Sequence, residues 1–464
     1  MSKKIITLQI GQCGNSIGLE FWKTLSTEHG IGPDGVLKEP ENTLEDRKDV
    51  FFYSADDGRY IPRAILIDLE PRVISGIRKS ELSDFFNPEN IFIGSQGSGA
   101  GNVWGTGYAE GEANYEIFSE MVRREVEVAD ALEGFIFTHS ISGGTGSGLG
   151  SFLIEKLSDE YKKATTISYS VFPGATDKDV VVAPYNSVLT LKRLTNNCDA
   201  VVVLDNTALA NITNPKTPGG ISKKKEEDEL GDGFTTKRNA SSFREMNMLV
   251  SNVMAATTAT LRFPSYSNND LVSLLAPLVP TPKCHFLMTG YTPITLPSIR
   301  QYIQKTSVIE VMNRLLDQKN IMVSTEMSNG LYMSILNILQ GEIDPTEIHS
   351  ALRQIHENQK LRFIPWGPAS IQLALSRKSP YVAMPNRVSG LMLANHTNIV
   401  KLFKRIIDDY KGLIKTDAYL NEFTKTNASV LGSNPKTELE DSCNVVMSMI
   451  EEYQRAEKED FLTA

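Results

Sequence analysis

Short apolar runs alternate with amphipathic stretches from the N-terminus to about residue 210, and a turn that contains glycine or an acid separates each pair. The apolar run 5–10 is followed by a turn at 11–15 and then by large apolar residues at helical spacing. The run 135–141 is followed by a glycine tract. This alternation predicts β-strands and α-helices in a parallel sheet. Further strands are predicted at 64–67, 91–93, 166–172 and 200–204.

The turns that follow these strands locate the predicted ligand site. In a parallel sheet all strand-to-helix turns lie at the carboxyl ends of the strands, where ligands bind in such folds. The turns concerned lie at 11–15, 68–72, 94–102, 142–148, 173–179 and 205–206. We therefore expect them to share one edge of the sheet and to form one site.

The pattern breaks over residues 212–242, which hold almost nothing apolar and set a lysine run against an acidic run. Such a composition predicts a disordered surface insertion. A core helix that links two domains is predicted over 243–262, because its apolar residues face both sides. Separate strands around 284–289, 331–336 and 370–375 then predict a second α/β domain.

The C-terminal part is predicted to be helical. From about Arg387 the spacing of Leu391, Ile399 and Leu402 favours one helix face, and a second helix is predicted near 437–457. The predicted organisation is a nucleotide-binding α/β domain at 1–211, the insertion at 212–242, the linking helix at 243–262, the second α/β domain at 263–383 and a helical domain at 384–464.

Composition and charge exclude several classes of protein. With 41% hydrophobic and 22% charged residues, the chain has the composition of a globular protein rather than of a collagen, a coiled coil or a disordered chain. The net charge of −9 argues against a nucleic-acid partner. The four cysteines lie too far apart for a Cys/His zinc site. No signal-type apolar run is present, so a cytosolic, non-membrane protein is expected.

A glycine tract at 143–150 has the chemistry of a phosphate cradle. It places five glycines in eight residues between a predicted strand and a predicted helix. Glycines let backbone N–H groups turn toward an anion, and the N-terminus of the following helix adds its dipole. The tract lacks the Gly-Lys-Ser/Thr of a Walker A loop and the register of Gly-x-Gly-x-x-Gly. A second tract at 97–102 follows another strand, so two loops can hold a polyphosphate from both sides.

No lysine accompanies these loops, so N–H groups, helix dipoles and a metal ion must balance the phosphate charge. Asp68 and Glu70 follow a predicted strand and supply carboxylates suited to Mg²⁺, directly or through water. Taken alone, an Asp-x-Glu pair is more common as a solvated turn. Together with the glycine tracts, it predicts a magnesium site.

Three spaced motifs together resemble the tubulin GTPases, namely Gly-Gln-Cys-Gly-Asn at 11–15, Asp-Leu-Glu-Pro at 68–71 and Gly-Gly-Thr-Gly-Ser-Gly at 143–148. Within that family the chain looks like the γ-tubulins in the segments 28–35, 46–52, 363–381 and 387–397. The end of the chain also lacks the long glutamate tail of α- and β-tubulins. The insertion indicates a divergent member of the group, and a fungal one is compatible with it.

The resemblance implies a set of guanine-nucleotide contacts. By position in the motifs, the phosphate loops contain Gln12, Cys13, Asn15, Ala100, Gly101, Asn102, Ser140, Gly143, Gly144, Thr145 and Gly146, with Glu70 as the ligand of a magnesium-bound water. Asp179 matches a ribose contact, Asn206 and Asn247 match the amides that contact guanine, and Phe243 matches the aromatic residue that stacks on it. These roles suit the side chains, because an amide offers both a donor and an acceptor and an aromatic face stacks on a base.

Two positions depart from the wider tubulin pattern. Ser16 stands where many tubulins carry glutamine, which puts one nucleotide contact in doubt. Ser273 stands where α-tubulins carry the glutamate that reaches the GTP of the next subunit. Serine has no carboxylate to orient water, so this chain is not expected to activate a neighbour's GTP.

The resemblance implies a GTP- or GDP-binding cytoskeletal protein that nucleates microtubules and hydrolyses GTP slowly at most. The implied partners are γ-tubulin complex proteins, αβ-tubulin and other copies of the chain in lateral contact, with neither nucleic acid nor membrane. The implied location is the cytoplasm at a microtubule-organising centre, which in a fungus is the spindle pole body. One alternative is a polymerising α- or β-type tubulin. A dinucleotide-dependent oxidoreductase is another, although its Gly-x-Gly-x-x-Gly register is missing.

Overall fold

A computed structural model describes most of the chain. The described residues are 3–38, 46–95, 97–175, 180–213, 233–263, 269–295, 307–357, 361–382, 386–421, 423 and 435–461, with 233–242 described by their backbone alone. None of the helices in these ranges is long and apolar enough to cross a membrane.

The N-terminal half forms the predicted parallel sheet. Its strands are β1 Lys4–Ile10, β4 Ala64–Asp68, β5 Ile91–Ile93, β6 Leu132–Ser140, β7 Thr165–Phe172 and β8 Ala200–Asp205, and β2 Phe52–Ser54 and β3 Tyr60–Pro62 form a separate hairpin. The parallel order is β8-β7-β6-β1-β4-β5. Every residue of β1, β7 and β8 is buried, as expected for strands covered by helices on both faces.

Helices connect these strands and cover both faces of the sheet. They are α1 Gly11–Glu28, α2 Pro71–Arg78, α3 Trp104–Ala113, α4 Tyr115–Glu127, α5 Gly150–Glu160, α6 Ala183–Asn197 and α7 Asn206–Thr213. Alternate residues of β1 enter different cores: Ile6 and Leu8 pack on one face of the sheet and Ile5 packs on the other.

The second half continues the same sheet. Strand β9 Phe286–Thr292 pairs in parallel with β8, and β12 Val388–His396 lies antiparallel between β9 and β10 Tyr332–Gly341. At the far edge β11 Ile371–Ser376 pairs in parallel with β10. Ten of the twelve strands in the described residues therefore form one sheet, which agrees with the predicted α/β class.

Strand β12 corrects the predicted helix that was to begin near Arg387. Leu391 lies in the middle of this strand rather than on a helix face, and the helix begins only at Val400. All nine residues of β12 are buried, so the segment has no polar face that would distinguish a strand from a buried helix. The predicted helical domain at 384–464 thus begins with a strand of the second half of the sheet.

The remaining helices are α8 Gly233–Thr257, α9 Ala259–Arg262, α10 Leu271–Leu275, α11 Val308–Leu315, α12 Pro345–Glu357, α13 Val400–Lys415 and α14 Pro435–Arg455. The helix predicted near 437–457 is therefore confirmed as α14.

The structure also changes the bounds of the predicted insertion at 212–242. Its first two residues belong to α7, and its last ten form the start of α8, where the prediction placed no helix before Phe243. The polar sequence 233–242 extends a helix whose later turns are buried, and propagation from a formed helix costs far less than nucleation. Residues 214–232, the rest of the predicted disordered segment, lie outside the described residues.

Candidate functional site

The carboxyl ends of the parallel strands surround a cavity of about 380 Å³, as the turns predicted. The predicted residues that line it are Gln12, Cys13, Asp68, Glu70, Asn102, Ser140, Gly143, Gly144, Thr145, Gly146, Asn206, Phe243 and Asn247. Lining residues that the sequence did not single out include Ser142, Val171, Leu209, Met246 and Val250. The cavity extends from glycine-rich loops at one end to side chains of α7 and α8 at the other.

The first phosphate loop is the beginning of a helix rather than the predicted turn. Helix α1 starts at Gly11, directly after β1, and no side chain among the described residues caps its N-terminus. Gly11 has φ 72°, and a Cβ there would lie 3.1 Å from the backbone nitrogen of Gly146. An uncapped N-terminus leaves N–H groups free to bind an anion, and the helix dipole favours negative charge there.

Asn15 lies behind this loop and does not line the cavity. It is fully buried, and its Nδ2 donates hydrogen bonds to the carbonyls of Gly11 and Ile67, each at 3.0 Å. Asn15 thus ties the start of α1 to strand β4. Cys13 does line the cavity, but burial raises the pKa of its thiol to about 12, so it stays protonated at neutral pH.

The glycines of the loop 143–148, here called the signature loop, have two different structural roles. A Cβ on Gly143 would meet nothing within 4 Å, whereas a Cβ on Gly144 would lie 2.7 Å from Ala100 Cβ and 2.8 Å from the backbone nitrogen of Val103. Gly143 therefore keeps the wall of the cavity open. Gly144 allows the loop to pack against the second glycine loop.

The second glycine loop is held by backbone conformation. Gly97, Gly99, Gly101 and Asn102 have φ values of 62°, 68°, 54° and 58°, in the left-handed region where glycine is favoured. Asn102 lines the cavity, but Ala100 and Gly101 do not. Ala100 is buried and lies against Gly144, whereas Gly101 is exposed.

Asn186 of α6 joins the two glycine loops. Its Nδ2 donates to the carbonyls of Asn102 at 2.7 Å and Ser142 at 2.8 Å, and its Oδ1 accepts from the backbone N–H of Trp104 at 3.0 Å. The side chain is fully buried and lies 44 positions from Ser142 and 84 positions from Asn102 in the sequence. No local pattern in the sequence marks it.

His139 of β6 supports the signature loop from below. Its Nδ1 lies 2.9 Å from the carbonyl of Gly146, and its Nε2 lies 2.9 Å from Ser168 Oγ and 3.0 Å from Ser170 Oγ. Burial lowers the pKa of His139 to about 4, so the ring is neutral at pH 7. A neutral ring that donates from Nδ1 to the carbonyl and accepts a serine hydroxyl at Nε2 satisfies both nitrogens.

Asp68 and Glu70, the two carboxylates predicted to bind magnesium, both line the cavity. Asp68 is buried at the end of β4; its Oδ1 accepts from the Glu70 N–H at 3.2 Å, and its Oδ2 has no hydrogen-bond partner in the described structure. Burial raises the pKa of Asp68 to about 6. Across the described ranges no group of three or more His, Cys, Asp or Glu side chains gathers to hold a metal. These two acids therefore fit a cation whose other ligands are water and phosphate oxygens.

The opposite end of the cavity is built from side chains of α7 and α8. Asn206, Phe243 and Asn247 all line it, although Asn206 and Phe243 stand 37 positions apart. Phe243 is 55% exposed, so its ring is not part of a packed core. Asp179, the predicted ribose contact, lies outside the described residues. Two amides offer hydrogen-bond donors and acceptors, and an open aromatic face can stack, so these groups suit a purine base.

Comparison with protein families agrees with this geometry. The model of the Tubulin/FtsZ family GTPase domain matches residues 4–214, the segment that contains every predicted phosphate loop. The model of the tubulin C-terminal domain matches residues 282–408, which run from just before β9 into α13. The GTPase-domain match implies that the chain binds a guanine nucleotide.

Proposed function

This chain belongs to the tubulin superfamily, and from that premise we propose that it is a nucleator of the γ-tubulin type, which binds GTP and seeds microtubules. It would act in the cytoplasm, at a microtubule-organising centre, within a complex of γ-tubulin complex proteins. There it would lie beside other copies of itself and present its nucleotide face to αβ-tubulin. The γ-type assignment rests on the segments 28–35, 46–52, 363–381 and 387–397.

A single observation carries the nucleotide part of this proposal: one cavity joins the uncapped start of α1 and the signature loop to Asn206, Phe243 and Asn247. The glycine-loop end would bind phosphates through backbone N–H groups. The amide end would bind the guanine edge, with the ring of Phe243 stacked on the base. Asp68 and Glu70 would hold Mg²⁺, which would neutralise phosphate charge.

The surroundings of Ser273 support a nucleator over a polymerising subunit. Asp270 caps the short helix α10: its Oδ1 accepts from the Ser273 N–H at 2.9 Å, and Ser273 Oγ accepts from the Asp270 N–H at 3.4 Å. Ser273 is thus committed to a helix cap, and it presents no carboxylate to a neighbouring subunit. The proposed protein would therefore hydrolyse GTP slowly and would not stimulate hydrolysis across a longitudinal contact.

The proposal is tested by counting labelled copies of this chain on microtubules grown from αβ-tubulin, with and without γ-tubulin complex proteins. A nucleator raises the number of microtubules, and the copies stay at one end in a number that does not change with microtubule length. A polymerising tubulin is incorporated along the wall in proportion to polymer mass, and that outcome would overturn the proposal. A chain with Gly144→Val serves as the control, because it should lack bound nucleotide.

A further inference from the structure

The carboxylate of Asp205 lies directly behind the predicted base-reading amide. Asp205 ends β8 and is fully buried, and the next residue, Asn206, lines the cavity. Its Oδ1 accepts from the Thr207 N–H at 3.0 Å. The hydroxyl of Thr207 in turn accepts from the backbone N–H of Ala175 at 2.9 Å. Both chain neighbours of Asn206 are therefore held by hydrogen bonds.

The same carboxylate reaches the second half of the molecule. Asp205 Oδ2 accepts from the Ser324 N–H at 3.2 Å and from the Ser324 hydroxyl. The backbone N–H of Asp205 donates to the carbonyl of Met322 at 2.9 Å, and the Met322 N–H donates to the carbonyl of Thr289 on β9 at 2.8 Å. The segment around Met322 and Ser324 thus fixes the end of β8 from the second α/β part.

A third connection comes from the C-terminal helix α13. A guanidinium nitrogen of Arg405 lies 3.9 Å from Asp205 Oδ1. The same guanidinium donates a hydrogen bond to the carbonyl of Pro173 at 3.0 Å. Phe403, on the same helix, is fully buried with its ring centroid 4.9 Å from that of Phe286 on β9. Arg405 itself does not line the cavity. It contacts Pro173 in the loop after β7 and the carboxylate of Asp205, the residue directly before the start of α7.

We propose that Asp205 and Arg405 are positioning residues for guanine recognition, and that they couple the base end of the cavity to helix α13. This inference rests on the proposed GTP binding. If the Arg405 contact holds Asp205 and the Pro173 loop, then Asn206 meets the base in the correct orientation only while α13 is docked. A partner that shifts α13 on binding therefore changes the affinity for the guanine nucleotide. By linkage, the nucleotide changes the affinity for that partner by the same factor.

The test compares the affinities of GTP and inosine triphosphate, which differ only in the exocyclic amine of the base. Arg405→Met removes the charge and the hydrogen bond, and Lys404→Met is the matched control, because it makes the same charge change one position away on an exposed side chain. We divide the dissociation constant for inosine triphosphate by that for GTP. This ratio should fall by roughly fivefold to tenfold in Arg405→Met, about the worth of one hydrogen bond, and should stay unchanged in the control. A general loss of stability would weaken the binding of both nucleotides equally and leave the ratio unchanged.

Two further variants keep the inference open to refutation. Asp205→Asn should lower the ratio as Arg405→Met does, and the double variant should lose little more than the worse single variant, because the two residues act on one amide. If Arg405→Met does not fold, Arg405→Lys is measured in its place. It keeps the charge and should give a ratio between those of the wild type and Asp205→Asn. A wild-type ratio in any variant that lacks the Arg405 contact overturns the inference. A wild-type protein that fails to bind GTP overturns the proposed function instead.

Discussion

The two ends of the cavity are built in different ways. The phosphate end is made of backbone, from the start of α1 and two glycine loops that pack on each other at Gly144 and are joined by Asn186. The base end is made of side chains on α7 and α8, and is held from behind by Asp205 and its contacts with Ser324 and Arg405. Local geometry therefore defines the proposed phosphate site, whereas distant parts of the chain set the position of the groups proposed to contact the base.

The largest expected effect breaks the phosphate end. Gly144→Val places a Cβ 2.7 Å from Ala100 Cβ and 2.8 Å from the Val103 nitrogen, so the two glycine loops must separate. Overpacking of this kind costs about 1–3 kcal/mol or more, and here it also moves the phosphate ligands. We expect a purified protein with no bound nucleotide and a lower melting temperature.

Gly143→Ala is the matched control in the same loop. A Cβ at Gly143 meets nothing within 4 Å, so the fold should be unchanged and only the cavity wall should gain a methyl group. Equal melting temperatures and equal nucleotide content in the Gly144→Val and Gly143→Ala proteins would refute the division of tasks between these two glycines.

A smaller effect is expected at the base end. Phe243→Ala should weaken GTP binding by about 1–3 kcal/mol, the usual worth of stacking a base on an aromatic ring. Because Phe243 is 55% exposed, the melting temperature of the nucleotide-free protein should not change. Titration with GTP measures the role of the ring in stacking on the base. Unfolding of the nucleotide-free protein measures any role of the ring in the core. A large loss of stability with unchanged affinity would show that the ring is part of the core.

The contrast between the two ends also explains how much the sequence could predict. The turn positions and the glycine tracts located the cavity, because parallel strands bring their carboxyl ends together and glycine-rich loops are visible locally. Asn186 and His139 were missed, since each acts through hydrogen bonds to loops that a residue pattern does not show. The base-end residues were predicted only through the family resemblance, because Asn206 and Phe243 are distant in the sequence.

The errors in the predicted fold have a similar physical origin. Strand β12 was predicted to be helical, because a segment buried at every position has no alternation to reveal its period. The start of α8 was predicted to be disordered, because its residues are polar and its helical structure continues from turns that pack further along the chain. In both places the deciding interactions are tertiary and lie outside the local sequence window.

The smallest effect concerns the acid at the phosphate end. Burial raises the pKa of Asp68 to about 6, above the value of about 3.9 in an unfolded chain. The folded state therefore holds the proton more tightly, so Asp68 makes the free energy of unfolding fall as the pH rises from about 4 to about 6. At pH 7 this cost is present in full. Asp68→Asn should remove this cost and stabilise the nucleotide-free protein, by no more than the roughly 3 kcal/mol that such a rise in pKa is worth.

Urea unfolding of the wild type and of Asp68→Asn between pH 4.5 and 7.5 tests the direction in which the free energy of unfolding changes with pH. The variant should gain stability over the wild type as the pH rises, while its affinity for nucleotide in the presence of Mg²⁺ falls, because a carboxylate that favours the cation has been removed. Parallel pH profiles for the two proteins would contradict the role given to the buried carboxylate.

The central claim is that the backbone-built end and the side-chain-built end together form one site for a guanine nucleotide. The most direct measurement is to denature the purified protein and to identify and count the released nucleotide by chromatography. We expect GTP or GDP, at about one per chain, because one cavity has one base end. A dinucleotide or an adenine nucleotide in its place would contradict the claim.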